Sequence, residues 1–353
     1  MRKIKMPVTN DKIHQSPHRR YNPLNDKWIL VSPQRNNRPW NGKTETLTEP
    51  LGTSYDKECY LCPGNIRASG LTNNQYNGCY IFDNDYAAIQ ENDERISSSE
   101  PLFKSQTVNG ACKVICYSPD HSKTLPELEL NNLIGIINAW RTIYTDLEEK
   151  YKWVQIFENK GEINGCSNPH PHGQVWASSH LPDEVERENK NQQAYYEKNN
   201  RPLLLDYLED EIEKNERIVC LNDDWVVLVP YWAAWPFETL LLPRTPISHM
   251  NDLKKSEIES LAKIIKSLTT RYDNLFNTSF PYSMGWHCRP AGERSKHWIM
   301  HGHFYPPLLR SATVQKFMVG YELLGETQRD ISAEQASNML RQASDVHYKK
   351  NPK

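Results

Sequence analysis

One arrangement occurs twice in this 353-residue chain, and it limits the available folds more than any other feature. In the first occurrence a strand-like run, "ACKVICYSP" (111–119), ends in the neighbourhood "SPDHSK". A long amphipathic segment (125–151) follows, with Leu130, Leu133, Ile136, Ile137, Trp140, Ile143, Tyr144 and Leu147 at helical spacing. Two more strand-like runs close it, "WVQIFENKG" (153–161) and "HPHGQVWA" (170–177). The second occurrence runs from "WVVLVPYW" (225–232) and "ETLLLP" (238–243) through "TPISHM" to a helix over 251–276, with Asn251 as the expected N-cap. It ends on "SMGWH" (283–287) and "HWIMHGHFYPP" (297–307). In each half the last run carries His-x-His. His121 precedes His170 by 49 positions, and His249 precedes His301 by 52.

This pattern implies an internal duplication. The strands are short and close together, so antiparallel pairing is expected. The predicted fold class is α+β: two related halves, 1–182 and 183–353, of mostly antiparallel sheet flanked by helices. Chance resemblance of two αβ segments is the alternative. Residues 1–25 read as irregular, "WILVSP" (28–33) and "CYIFDNDYAAI" (79–89) as strands, and 182–215 as a charged helical connector.

Composition narrows the class of function. Lys and Arg total 42 against 44 Asp and Glu, for a net charge of −2, so neither a nucleic-acid surface nor a membrane patch is expected. No run reaches the ~18 apolar residues of a membrane span. The first residues lack the apolar stretch of a secretory leader, so the eight cysteines are expected to be reduced thiols in the cytosol, some of them on metal.

Two groups of residues carry chemistry. "CYLC" gives Cys59 and Cys62 the C-x₂-C spacing that turns two sulfurs toward one cation. The following "PGN" does not open a helix, which argues against a redox pair. Candidates for the two remaining tetrahedral ligands are His121 and His170; for His121 a turn histidine bonded to backbone is the plain alternative. In "CSNPHPHGQVW" (166–176) strand geometry puts His170, His172 and Gln174 on one face, with Trp176 behind them. Gly173 is expected to leave room for substrate, and Pro171 suits an edge or a bulge. A neutral imidazole is a competent nucleophile near pH 7, and on phosphorus it gives a phosphoramidate that can pass the group on. Gln174 does not titrate, so this face suits stabilising phosphoryl oxygens, with no general acid for an alkoxide leaving group. Polar residues of an exposed edge strand are the bland reading.

"NGCSNPHPHGQVWAS", together with "CYLCPGN", "SPDHSKTLPEL", "FENKG", "VPYWAAWPFETLLLP", "FPYSMGWH" and "HFYPPLLRSATVQKFMVGYELL", resembles the galactose-1-phosphate uridylyltransferases, a branch of the histidine-triad (HIT-like) superfamily. The similarity spans nearly the whole chain, from "HRRYNPLNDKWILVSPQR" to "ASDVH". It implies two HIT-like halves, a homodimer, and transfer of UMP from UDP-glucose to galactose 1-phosphate by double displacement. By the resemblance His172 is the uridylylated nucleophile, with Ser167 and Gln174 contacting phosphoryl oxygens. His170 joins Cys59, Cys62 and His121 at a structural zinc.

The resemblance further assigns substrate contacts. Arg35 and Arg38 match phosphate-binding arginines. Asn84, Asp85 and Asn159 match nucleoside contacts, and Gly165 and Cys166 lie in the same binding loop. Lys316, Phe317, Val319, Tyr321, Glu322 and Gln328 match a segment that reaches the hexose phosphate, partly across the dimer interface. Glu188, His287, His301 and His303 match a second site that holds iron in some members; His297 is expected on the same strand face. The loop "HCRPAGERSKHW" is a residue shorter than in the members compared and carries Cys288. Two other functions compete. One is a nucleotide-sugar or dinucleoside-polyphosphate phosphorylase of the same superfamily, which would use inorganic phosphate. The other is a zinc-stabilised nucleotide-binding module without turnover.

Overall fold

The computed structural model describes residues 16–37, 52–92, 97–98, 100–293 and 295–350. An N-terminal hairpin, β1 (His18–Asn22) and β2 (Lys27–Val31), leads into the first half. That half contributes β3 (Tyr80–Asp83), β4 (Gly110–Cys116), α1 (Leu130–Glu148), β5 (Trp153–Lys160) and β6 (His172–Ser178). Two helices, α2 (Asp183–Asn199) and α3 (Leu203–Lys214), then cross to β7 (Ile218–Leu221). The second half follows with β8 (Trp225–Leu228), β9 (Thr239–Pro243), α4 (Lys255–Phe276), β10 (Tyr282–His287) and β11 (His301–Tyr305). Near the end, β12 (Gln328–Arg329) pairs parallel with β2, and α5 (Ala333–Gln342) packs after it.

The two halves build one nine-stranded antiparallel sheet in the order β3-β4-β6-β5-β10-β11-β9-β8-β7. Leaving out β7 at the far edge, the order is the same from both ends: β3 matches β8, β4 matches β9, β6 matches β11 and β5 matches β10. The halves meet where β5 pairs with β10, from Ile156 opposite Trp286 to Lys160 opposite Tyr282. This mirrored order is the duplication expected from the sequence, and the α+β class holds. Both long helices lie on one face, sharing a core in which Trp140 of α1 lies 6.0 Å from Trp286 of β10. On the other face, α3 and the N-terminal hairpin cover the second half through Leu24, Ile29, Leu204, Leu208, Val226 and Leu240. A loop carrying Cys59, Leu61, Cys62 and Tyr76 packs on Val114 and Cys116 of β4. No described helix is long and apolar enough to cross a membrane.

Several expectations are corrected. The irregular N-terminal stretch contains β1, whose pairing with β2 a single-strand pattern does not reveal. The connector is two helices, broken where Asn200 takes a left-handed φ of 55° just ahead of Pro202. It is not merely a solvated spacer, since Glu188, Gln192 and Glu211 are buried. Asn251 caps nothing: it lies in a single turn, Met250–Asp252, where its amide donates to His249 Nδ1 at 3.0 Å. Helix α4 begins later, and the Glu257 carboxylate accepts the Lys254 amide at 2.7 Å. The run over 297–307 is a strand only at His301–Tyr305.

Beneath the seam lies a polar network inside the core. Lys160 Nζ bonds Asp273 Oδ1 at 2.9 Å, and His347 reaches Asp273 Oδ2 at 3.1 Å, tying the C-terminal segment to α4 and β5. Glu158, two residues from Lys160, accepts from the Tyr282 hydroxyl at 3.4 Å. Burial pushes its carboxyl up to about 8, against the opposing pull of Lys160. The folded protein therefore keeps this proton to about pH 8, whereas an unfolded glutamate releases it near ~4.3. Its contribution to stability is fully present below that lower value and is lost as pH rises through the folded pKa. We predict that Glu158→Gln, which imitates the protonated form, flattens the decline in Tm between pH 6 and pH 9. Melting curves across that range check this; an unchanged slope would show that Glu158 is already ionised in the folded protein.

Candidate active site and metal centres

The two histidines of "HPHGQ" have opposite fates, decided by their hydrogen bonds. His170 is fully buried and turns its Nε2 to the Ser118 carbonyl oxygen at 2.9 Å. A carbonyl only accepts, so Nε2 carries the proton and Nδ1 keeps a lone pair. That Nδ1 lies 3.5 Å from Cys62 Sγ, which is also 3.5 Å from His121 Nδ1. Cys59, Cys62, His121 and His170 are all buried, and their ligand atoms lie within 4.8 Å of one another. The C-x₂-C turn is closed by Cys62 N–H donating to the Cys59 carbonyl at 3.1 Å.

The donor set fits a metal ion. Burial pulls the His170 imidazole down to about 4, so it is a neutral ligand, and burial pushes the Cys62 thiol up to about 11. A thiolate in that position needs a cation beside it. Two outer partners were not foreseen. Asn168 accepts the His170 amide at 2.9 Å and lies 3.5 Å from Cys59 Sγ. Tyr76 donates to the Leu61 carbonyl at 2.7 Å and stands 3.3 Å from His170 Nε2. The only signal for Asn168 was its place two residues ahead of a ligand, where an Asx turn forms; Tyr76 left none.

His172 opens β6, an interior strand between β4 and β5. The edge-strand reading is thereby excluded, and Pro171 sits just before the ladder. His172 Nδ1 bonds the carbonyl oxygen of His170 at 2.7 Å. By the same logic Nδ1 holds the proton and Nε2 presents its lone pair. Burial holds this imidazole below the ordinary histidine range, although the carbonyl bond works the other way. The ring is thus a fixed, neutral, single tautomer. Gln174 follows on the same face with Trp176, whose ring meets Phe157 edge-on at 5.7 Å. The space left by Gly173 serves a different purpose from the one expected. A Cβ there would sit 2.3 Å from the Tyr117 hydroxyl, so the glycine admits a buried core tyrosine and not a substrate.

The other predicted residues fall into three places. Gly165, with φ of 77°, ends the turn Glu162–Asn164 and hands the backbone to Cys166 and the exposed Ser167, just ahead of His170. Asn159, two positions along β5 from Phe157, accepts from Ser283 Oγ at 2.8 Å. Asn84 and Asp85 follow β3 in a turn, with Asp85 at 3.3 Å from Arg67. A third group gathers round Asp330, which takes Arg35 Nε and Gln328 Nε2, each at 3.0 Å. Lys316 Nζ bonds Glu322 at 3.0 Å, while Phe317, Val319 and Tyr321 are exposed. Arg38 lies outside the described residues.

The second cluster also assembles. Glu188 Oε2 lies 2.8 Å from His287 Nδ1 and 3.4 Å from His301 Nε2, and its Oε1 is 3.9 Å from His303 Nε2. Burial acts to raise the Glu188 carboxyl, but the imidazoles hold it well below the usual range. The Nε2 atoms of His301 and His303 are buried without hydrogen-bond partners, and the His301 Nδ1 proton is committed to the Ile299 carbonyl at 2.8 Å. Two buried, unpartnered ring nitrogens beside one carboxylate, one of them with its lone pair free at His301, fit a cation between them. His297 is not part of it; its Nε2 lies 2.7 Å from Asn189 Oδ1. Cys288 is buried away from the cluster, and burial pushes its thiol up to about 12. Spacing alone does not pick out Glu188, which lies in a charged run; only the resemblance does.

Fold and sites together describe a nucleotidyltransferase built from two related halves. The galactose-1-phosphate uridyl transferase N-terminal domain matches residues 6–182, and the C-terminal domain of the same family matches residues 188–352. A galactose-1-phosphate uridylyltransferase of Haemophilus influenzae is 54% identical over 341 residues, covering 96% of this sequence and 98% of its own length. One from Rattus norvegicus is 49% identical, covering 94% and 89%. The protein belongs to the galactose-1-phosphate uridylyltransferase family. A solved uridylyltransferase structure superposes with a TM-score of 0.72 at 24% identity over 92% of this protein and 97% of that one. An ADP-glucose phosphorylase from Arabidopsis thaliana gives 0.73 at 21% over 93% and 100%, a likeness of fold.

The buried four-ligand cluster predicts a structural dependence. Cys59→Ser is expected to lower metal affinity by more than the ~10–100-fold typical of losing an outer partner. Elemental analysis of the purified variant, beside its melting temperature, reads both effects. Equal metal content and equal Tm in variant and parent would remove Cys59 from the ligand set.

Proposed function

We propose that the protein transfers UMP from UDP-glucose to galactose 1-phosphate by two displacements at His172. The observation that carries this is the 2.7 Å bond from His172 Nδ1 to the His170 carbonyl, which leaves Nε2 as the one basic atom of a fixed ring. In the first step Nε2 bonds to the α-phosphorus of UDP-glucose and the bond to glucose 1-phosphate breaks. The leaving group is already a phosphate, so no proton donor is needed and a non-titrating glutamine suffices at position 174. The ring becomes an N-phosphorylated imidazolium, whose remaining N–H stays on the His170 carbonyl. In the second step a phosphate oxygen of galactose 1-phosphate takes the UMP, and the Nε2–phosphorus bond breaks. One pocket serves both half-reactions, which gives ping-pong kinetics.

Gln174 and Ser167 serve the phosphoryl oxygens in this reading, with Arg35 and Arg38 on phosphate and Asn84, Asp85, Asn159, Gly165 and Cys166 about the nucleoside and its phosphate. Cys59, Cys62, His121 and His170 would hold zinc, which suits two thiolates and two imidazoles in a closed set. That ion would order the loop leading into β6. Glu188, His287, His301 and His303 would hold iron or another divalent ion, also in a structural capacity. The halves divide at 182–183, consistent with the mirrored strand order. The working form is a homodimer, in which Lys316, Phe317, Val319, Tyr321, Glu322 and Gln328 reach the hexose phosphate; the exposure of Phe317, Val319, Tyr321 and Leu323 supports a covered surface there. Reduced thiols suit the cytosol.

Mixing the protein with UDP-glucose should give a UMP adduct on His172 and one equivalent of glucose 1-phosphate, seen by intact mass and peptide mapping. His172→Gly should fold, form no adduct and lose at least ~10⁴-fold in turnover, as removing a nucleophile does. Normal turnover in that variant would end the proposal. Supplying inorganic phosphate instead of galactose 1-phosphate separates transferase from phosphorylase: sustained release of UDP with glucose 1-phosphate would favour the latter.

A further inference from the structure

Gln174 can work as a donor to phosphoryl oxygens only if its amide is turned the right way. The carbonyl and NH₂ ends of a glutamine amide are close to interchangeable in shape, so packing alone does not choose between them. The wrong orientation aims a carbonyl oxygen at an anion. Something must break the tie.

The tie is broken by the next residue on the same strand face. Trp176 Nε1 donates to Gln174 Oε1 at 3.3 Å. An indole N–H has no acceptor capacity, so it can hold only the amide oxygen. Oxygen and nitrogen sit on opposite sides of the amide carbon. With the oxygen held on the Trp176 indole, the NH₂ takes the other branch of the amide, away from that N–H. Phe157, directly across the ladder from Gln174, has no polar side-chain atom that could compete. The same ring meets Trp176 edge-on at 81° and fixes the indole in place. Trp176 is 37% exposed, so it is not simply filling the core.

The neighbouring strand repeats the device and shows its outcome. Trp153 Nε1 donates to Gln155 Oε1 at 3.3 Å, and the Gln155 NH₂ then donates to the carbonyls of Ile156 at 3.2 Å and Trp286 at 3.1 Å. Gln155 lies directly opposite Trp176 in the ladder. On β5 the oriented NH₂ meets protein carbonyls; on β6 no described protein group takes it.

We propose that Trp176 is a positioning residue for uridylyl transfer: its indole N–H locks the Gln174 amide so that NH₂, not C=O, faces the phosphoryl group at His172. This rests on the reading of Gln174 as a phosphoryl contact. Replacing the N–H lets the amide sample both orientations, so the cost is smaller than that of losing the donor, which is ~10²–10³-fold for an oxyanion contact.

The test is a double-mutant cycle on the single-turnover rate of UMP–enzyme formation from UDP-glucose, using Trp176→Phe, Gln174→Ala and the pair. Trp176→Phe is expected to slow adduct formation about tenfold while leaving Tm unchanged and the Kd for UDP-glucose, measured in a His172→Gly background, within about twofold. In the Gln174→Ala background it should have no further effect. A second variant, with Trp176 replaced by benzothienylalanine, keeps the bicyclic ring and removes only the N–H; it should match Trp176→Phe and guards against a packing effect of the smaller ring. Equal slowing by Trp176→Phe with and without Gln174 would overturn the proposal, as would a parental rate in the benzothienylalanine protein. A parental rate for Gln174→Ala alone would instead overturn the reading of Gln174, and the proposal with it.

Discussion

The structure of the site depends on a single backbone carbonyl, that of His170. Its oxygen holds the Nδ1 proton of His172. The imidazole of the same residue joins the four-ligand cluster through Nδ1 while its Nε2 is committed to Ser118. One residue therefore links the four-residue Cys/His cluster to the His172 ring through only a few covalent bonds. Any shift of the His170 ring moves the carbonyl that sets the tautomer of His172. In this way the Cys/His cluster can matter to chemistry that it does not touch: it fixes the place from which the ring is held. Asn168 strengthens the same link by receiving the His170 amide while lying beside Cys59.

The duplication makes this clearer by contrast. β6 and β11 hold matching places in the mirrored sheet, and each begins at a His-x-His. In the second half both rings aim at one point, Glu188, and the partner strand adds His287, which pairs directly with His301. In the first half the rings part company, one turned to the thiols and one held by the His170 carbonyl. The same backbone pattern thus gives two rings turned to one carboxylate in one half, and one ring at the thiols with the other on a backbone carbonyl in the other half. The difference lies in what stands opposite: a carboxylate from α2 in the second half, a C-x₂-C turn in the first. Glu188 can reach its pair because α2 crosses that face of the second half, whereas in the first half the loop of Cys59 and Cys62 packs on Val114 and Cys116, the residues opposite Gln174 and His172.

Much of this was legible in the sequence, and the limits have physical causes. Periodicity showed the helices, and the spacing of His121, His170, His249 and His301 showed the repeat, because a duplicated fold keeps its segment lengths. The C-x₂-C turn and His-x-His were legible because they are local. Glu188 was invisible in the residues themselves, since a buried carboxylate on a charged helix looks like its solvated neighbours until tertiary packing turns it inward. The cap of α4 was misplaced because His249, a residue that periodicity ignores, took the Asn251 amide. Gly173 invited a functional reading, but the Tyr117 ring that needs its space comes from the other side of the sheet. Trp176 was seen on the right face, yet only the folded structure shows that its N–H has a partner.

The electrostatics of the centre follow from the reaction it serves. Burial keeps both His170 and His172 neutral, and the residue that would be a third histidine in a triad is an amide. Burial disfavours the charged form of the one imidazole on this face of β6, and for a phosphate leaving group no proton donor is needed. A protonated ring at position 174 would favour breaking bonds to poor leaving groups, water-derived products included; an amide favours a group that can be returned. On the proposed mechanism the strand would stabilise a phosphorylated imidazolium between two acceptors of similar leaving ability. It would do so with oriented dipoles, the carbonyl at His170 on one side and the amide at Gln174 on the other, whose fields do not change with pH. Reversible transfer between two sugar phosphates is the chemistry that such a pH-indifferent pair suits best.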